Sequence, residues 1–194
     1  KMAFQGARYE IAVAALLTRG GLKVQFVHHP DKKQHDLLAF DKKTNTTLAV
    51  EAKSRHRAGS LHEPGTPDPD RIKRGDMASL IGQALDQNPS GYPFVVFVDV
   101  NVPRGPETTI EERPWFKDVW ADMQSLGKPT PNCPDEFSAI FFTNFWHNWS
   151  PSAISAGLEY LHVVSSQARH PLPDNLVGRL MAGVQNYKVI PRQM

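Results

Sequence analysis

The stretch HDLLAFDKKTNTTLAVEAKS, residues 35–54, decides how this chain is read. His35 to Phe40 and Thr47 to Lys53 are strand-like runs, and the polar segment Asp41 to Thr46 between them reads as a hairpin connection. Centring that connection between Lys43 and Thr44 opposes residues whose numbers sum to 87. Phe40 then faces Thr47, Leu38 faces Ala49, and Asp36 faces Glu51. Cross-strand partners have Cβ atoms about 5 Å apart and residues two apart share a face, so Lys53 joins the two acids on one side. Two carboxylates and a lysine converge at one end of the hairpin.

Carboxylates at that spacing repel each other, and a divalent cation relieves the repulsion. Mg²⁺ suits the pair because it takes one or two carboxylates and completes its shell with water and phosphate oxygens; Mn²⁺ is the expected substitute. A lysine beside the cation can orient an attacking water and offset charge on a phosphorane. The trio is equipment for hydrolysing a phosphodiester. An Asp-Glu-Lys ion-pair cluster on a solvated sheet face is the competing reading. Against it stand Leu37 to Phe40 and Leu48 to Val50, which embed both acids in otherwise apolar strands, where unpaired charge is rarely tolerated without a function.

Outward from the hairpin, Ile11, Ala12, Ala15, Leu16 and Leu17 recur at helical spacing within Gly6 to Arg19, and the Gly20-Gly21 pair ends the pattern. Leu22 to His28 alternates as a half-buried strand does. Ser54 to Asp70, with three Pro and two Gly, has no periodicity and reads as a long loop. Arg71 to Gln87 regains helical character with Met77, Leu80, Ile81, Ala84 and Leu85 on one face. Phe94 to Val100 is nearly all apolar, as in a strand covered on both sides. The order of helix, three strands, helix and strand predicts an α/β fold with a mixed central sheet flanked by helices. Beyond it, Trp115 to Leu126 and Asn175 to Tyr187 read as helices, and Phe137 to Phe142 and Tyr160 to Ser165 as strands. No composition break splits the 194 residues, so a single domain is expected, with a core over about 6–100 and α/β additions over 101–194.

Asp36, fourteen intervening residues, and then Glu51-Ala52-Lys53 on a hairpin between two helices resembles the PD-(D/E)xK nuclease superfamily with its restriction-endonuclease-like core. The resemblance covers about residues 6–100, and the motif itself is short and degenerate. It implies a Mg²⁺-dependent nuclease acting on nucleic acid, most simply a DNA endonuclease. Asp36 and Glu51 would hold the metal with the Ala52 carbonyl, and Lys53 would serve the water. Members similar to Mrr-type restriction enzymes and archaeal Holliday-junction resolvases place a metal-supporting acid on the first helix, where Glu10 lies, and a Gln on the second, where Gln83 lies. An exposed first-turn Glu and a backbone-satisfied Gln are the competing readings. One departure is that His35, not Pro, precedes Asp36; on a regular strand it points away from the metal.

Arg55, Arg57 and Lys73 flank the long loop and read as phosphate contacts, with a solvated loop as the alternative. The charge distribution fits: residues 1–75 carry 14 Lys and Arg against 8 Asp and Glu, whereas residues 76–194 carry 8 against 12. Adjacent His28 and His29 point to opposite faces of a strand and make a poor metal pair. Phe137, Phe141, Phe142, Phe145, Trp146 and Trp149 fall within thirteen residues and suit a core or an oligomer interface better than base stacking, which leaves a homodimer open. There is no phosphate-binding Gly-rich loop with Lys-Ser/Thr, and no Gly-x-Ser-x-Gly or Cys/His arrangement. Cys133 is alone, and no apolar run approaches the ~20 residues of a membrane span, so a cytoplasmic protein without membrane partners is expected. The chain opens on Lys1, which leaves anything upstream undefined. An inactive nucleic-acid-binding or partner-binding module on the same fold is the alternative to the nuclease.

Overall fold

The computed structural model describes residues 2–27, 34–56, 59–60, 63–64, 75–88, 91–103, 109–145 and 158–187. Among the described residues, four helices flank a six-stranded mixed sheet. The chain runs α1 (Met2–Arg19), β1 (Lys23–Phe26), β2 (Leu37–Asp41), β3 (Thr46–Ser54), β4 (Gly59–Ser60), β5 (Glu63–Pro64), α2 (Asp76–Leu85), β6 (Phe94–Asp99), α3 (Pro114–Ser125), β7 (Ala139–Phe145), β8 (Leu158–Val164) and α4 (Asp174–Gln185). The sheet order is β1-β2-β3-β6-β7-β8, and β4 pairs with β5 alone. Strands β3, β6 and β7 are parallel to one another, and the remaining pairs are antiparallel. The two C-terminal strands thus extend the same sheet that holds the hairpin.

The hairpin register is the one in which opposed numbers sum to 87, with Leu37 opposite Val50, Leu38 opposite Ala49 and Phe40 opposite Thr47. Its turn is organised by Asp41, whose carboxylate accepts the Lys43 N–H at 3.0 Å and the Thr44 hydroxyl at 2.7 Å. Such an Asx arrangement lets the following residues reverse, and Asn45 takes the left-handed φ of 53°.

Each central strand sorts its side chains alternately into two cores. Val95, Phe97, Ala139 and Phe141 face α1 and α4, where Tyr9, Val13, Leu16 and Leu17 meet Leu176, Leu180 and Val184. Phe94, Val96, Val98, Ile140 and Phe142 face α2 and α3, where Met77, Ile81 and Ala84 meet Trp115 and Val119. Phe97 stacks on Phe141 with ring centroids 4.9 Å apart. Helices α1 and α4 approach so closely that a Cβ on Gly183 would stand 2.4 Å from the Leu16 carbonyl oxygen. Only glycine fits there.

Several expectations need correction. Strand β1 is shorter than Leu22 to His28 and mostly exposed rather than half-buried, because it is an edge strand with one neighbour. The stretch read as a loop without periodicity contains the two-residue strands β4 and β5. Helix α2 begins at Asp76, after Gly75 at φ 101°, and not at Arg71; residues 71–74 lie outside the described residues. Phe137, Phe141, Phe142 and Phe145 are core residues, while Trp146 and Trp149, like His28 and His29, lie outside the described residues. Among the described residues no helix is long and apolar enough to cross a membrane.

A buried charge closes the far end of the α1 and α4 layer. The Arg179 guanidinium of α4 pairs with Asp41, which is fully buried, and donates to the Gly20 and Gly21 carbonyls at 3.0 and 2.9 Å. Burial pulls the Asp41 carboxyl upward, but Arg179, Thr44 and the Lys43 N–H outweigh it and hold it at about 2. Truncating Arg179 leaves that carboxylate buried without its cation, so Arg179→Met should cost about 3 to 5 kcal/mol. Urea unfolding of the variant checks this, and Asp41→Asn in the same background should recover part of the loss.

Candidate metal centre

Strand β3 has nine residues and β2 has five, and this mismatch builds the site. The parallel ladder with β6 carries β3 as far as Ser54, opposite Asp99, whereas β2 meets β3 only from Leu37 onward. Glu51, Ala52 and Lys53 are therefore held in extended conformation from one side, with no ladder partner on the other. The gap is filled by a side chain. Asp36 extends the pairing with β1 by accepting the Val27 N–H at 2.9 Å, and its carboxylate Oδ2 accepts the Ala52 N–H at 2.9 Å. In a strand a residue's N–H and C=O point to the same side, so the Ala52 carbonyl opens toward Asp36 as well.

Glu51 lies on the α2 face of the sheet and is fully buried. Its Oε1 accepts a hydrogen bond from Lys53 Nζ, while Oε2 has no hydrogen-bond partner among the described residues. Burial, and then the charge of Asp36, push the Glu51 carboxyl up to about 8 against the opposing charge of Lys53. Asp36 is raised by burial, opposed first by the Ala52 N–H and then by Lys53. Glu10 is raised by burial and by Asp36. Three carboxyls are thus pushed toward their neutral forms by sharing one region of low polarity.

The end of β3 opens into a cleft of about 630 Å³ between α1 and α2, which takes in Glu10, Asp36, Ala52, Lys53, Arg55 and Gln83. Six of the residues singled out in the sequence line this one cleft, and Glu51 lies beneath its floor. Glu10 enters from α1, half-buried. Gln83 enters from α2 and is exposed, not buried among apolar neighbours, with its amide donating to Ser79 Oγ at 3.3 Å. The described residues contain no group of three His, Cys, Asp or Glu placed to hold a metal ion, so Glu10 does not complete a three-carboxylate cluster. Two carboxylates and a backbone carbonyl are nevertheless a donor set that suits Mg²⁺, and the unmatched Oε2 of buried Glu51 is the atom that a cation would satisfy.

Arg55, read from the sequence as a phosphate contact, lines the cleft. Its guanidinium is paired with Asp76 at 3.1 Å, and its backbone N–H donates to the Asp99 carbonyl at 3.0 Å. Burial lowers its pKa from the ordinary value against the charges of Asp76, Asp118 and Asp99. Arg57 and Lys73 lie outside the described residues. Ser54, His56, Asp76 and Ser79 also line the cleft and were not singled out in the sequence. Below it, Ser54 Oγ donates to the buried Asp99 at 3.3 Å, and the Tyr9 hydroxyl shares a 2.7 Å hydrogen bond with Thr143. These partners come from four separate elements, and no spacing in the chain announces them.

No family model matches this chain, and no curated protein does. A solved structure similar to it is Pyrococcus furiosus SfsA in complex with Ca²⁺, at 12% identity and a TM-score of 0.34, over 84% of this chain and 64% of that one. The chain spans less than two thirds of that protein's length, and a likeness this weak carries no functional inference.

The raised carboxyls make stability depend on pH. Glu51 titrates near 8 in the folded chain against an ordinary value of 4.5, so between those values the folded state binds more protons than the unfolded state. Stability then falls as pH rises through that window. Asp36 and Glu10 act in the same direction, whereas the lowered Asp41 adds a contribution that is constant above about pH 5. Calorimetry of the metal-free protein should show Tm falling from pH 5 to 8, with a shallower fall in Glu51→Gln. An equal slope in the two proteins would remove Glu51 as the source.

Proposed function

We propose that this chain is a metal-dependent nuclease of the PD-(D/E)xK kind, with a restriction-endonuclease-like core, that hydrolyses phosphodiesters in DNA. The observation that carries the reading is the fully buried Glu51, with one oxygen unmatched, bonded to Lys53, which lines the cleft together with Asp36 and the Ala52 backbone. A buried acceptor without a hydrogen-bond partner costs about 1 to 3 kcal/mol, a cost that a cation beside Glu51 would offset.

Asp36, Glu51 and the Ala52 carbonyl would hold Mg²⁺ or Mn²⁺, which when bound polarises a phosphate oxygen and lowers the pKa of a coordinated water. Lys53 holds the Glu51 carboxylate from one side and presents its ammonium to the cleft, where it orients the water and offsets charge on the phosphorane. Glu10 adds negative potential from α1. Gln83 offers an amide to the water or the phosphate from α2. Arg57 and Lys73 are proposed as backbone-phosphate contacts, and Arg55 is held beside the end of β3 by Asp76. The cytoplasm is the proposed setting.

Asp36→Asn should abolish cleavage and weaken metal binding together. Lys53→Ala should lower single-turnover cleavage by about 10² to 10⁴. Because Lys53 also holds the Glu51 pKa down, its loss should weaken metal binding at pH 7, and raising the pH should recover binding but not cleavage. Plasmid and single-stranded circular DNA with Mg²⁺, Mn²⁺ or chelator are the substrates for this comparison. Full activity in a folded Lys53→Ala protein would sink the assignment, and metal-independent binding without cleavage would mark an inactive nucleic-acid-binding module.

The phosphate contacts have their own signature. Replacing Arg57 and Lys73 together by Ala should reduce the log-log salt slope of duplex binding by about 0.9 for each phosphate that is no longer neutralised. A slope equal to that of the wild type would place the phosphate path elsewhere.

A further inference from the structure

We propose that Asp122, on α3 and outside the cleft, is a positioning residue: it fixes α2, and through α2 the Asp76–Arg55 pair and Gln83, relative to Glu51 and Lys53. The proposal rests on the nuclease reading for its effect on rate, but the geometry behind it does not.

Helix α3 buries Trp115, Val119 and Asp122, which lie on one stripe at helical spacing. Two members of that stripe are apolar, and an acid in the third place demands hydrogen-bond donors. It finds them on the neighbouring helix. The N–H of Gly75 lies 3.1 Å from both Asp122 oxygens, and the Ala78 N–H donates to Oδ2 at 3.3 Å. These are the orphan donors at the start of α2, where the residue at the capping position is Gly75 and no side chain of α2 itself supplies a cap. The cap is supplied by another helix, and its negative charge also meets the positive end of the α2 dipole.

A cap held by a neighbour fixes the position of a helix as well as its stability. A carboxylate that engages the first turn at two N–H groups sets the axial position of α2 and its rotation about its axis. That rotation decides where the cleft side chains of α2 stand. Asp76 follows Gly75 directly and pairs with Arg55 at 3.1 Å, just beyond the end of β3. Ser79, Leu80 and Gln83 line the cleft one and two turns further on. Gly75 sits at φ 101°, where the chain can reverse into the helix, and nothing lies within 4 Å of a Cβ built there. Among the described residues, Asp122 is the side chain that caps this end of α2, beside the Asp76–Arg55 pair and the buried Met77.

The test uses the full chain with Asp122→Ala and, as the milder change, Asp122→Asn, which keeps one carbonyl acceptor. In the Ala variant the Gly75 and Ala78 amides should exchange about fivefold faster, the factor that corresponds to the loss of a cap of ordinary strength. The NMR signals of the Arg55 Nε–H and the Gln83 side-chain amide should move. Cleavage with Mg²⁺, measured well below Tm, should lose about 10 to 10² in kcat with KM nearly unchanged, since misplacement and not binding is at fault. Asp122→Asn should fall between, and it carries the test if the Ala variant does not fold. A folded variant that loses Tm while the Arg55 and Gln83 signals stay in place would overturn the proposal, as would full kcat in an active enzyme. If the wild-type chain cleaves nothing, the nuclease reading fails, and the exchange and NMR results still decide whether Asp122 positions α2.

Discussion

A carboxyl group sits inside a sheet that is otherwise built to exclude water. Glu51 is fully buried on a central strand, and removing a carboxylate from water without full compensation costs several kcal/mol. Lys53 compensates one oxygen, and the chain compensates further by raising the Glu51 pKa to about 8, so that below that value the neutral acid prevails. Such a group is stable as a neutral acid or beside a cation and is unstable as a bare carboxylate. The surrounding structure is arranged around that constraint.

The arrangement follows from unequal ladders. A strand paired on both sides has no free backbone group, but β3 continues beyond the start of β2 because β6 supports it from the other side. The exposed edge would be a liability if left open. Asp36 caps it through the Ala52 N–H, and in doing so brings its own charge close enough to perturb Glu51. One geometric fact, a strand that outruns its neighbour, thus accounts for the paired acids and the opening of the cleft at this end.

Polar clamps hold the layers at the periphery, while apolar packing fills the middle. Arg179 with Asp41 joins α4 to the α1-β1 turn and to the hairpin, and Asp122 joins α3 to α2. At the other edge Arg113 pairs with Glu159 at 2.6 Å, and Trp115 and Asn144 donate to the same carboxylate at 3.3 and 3.2 Å. Each buried charge has several partners, which is the condition under which buried ions are tolerated. These clamps tie elements far apart in sequence, so the lines along which α1 and α2 face the cleft depend on residues of the C-terminal half.

The sequence by itself determined what local periodicity controls. Alternation with a polar turn sets the hairpin and its register, because a slip of one residue would turn Leu37, Ala39, Leu48 and Val50 away from the core. Extended by one residue, that register brings Asp36 toward Glu51 and Lys53, and the Asp36 carboxylate completes the approach through the Ala52 N–H. Helical spacing with terminal Gly and Pro marks the four helices, and the run Phe94 to Val100 marks a strand buried on both faces. What depends on contacts between distant elements was decided only by the tertiary structure. Gln83 has apolar neighbours in sequence, and the choice between a buried amide and one in the cleft was made when Met77, Ile81 and Ala84 took the core side of α2. The sequence does not show that Arg55 is paired with an acid twenty-one residues away. Asp122 looks like a surface acid until α3 packs on α2, since only then do its carboxylate and the orphan N–H groups of a second helix meet.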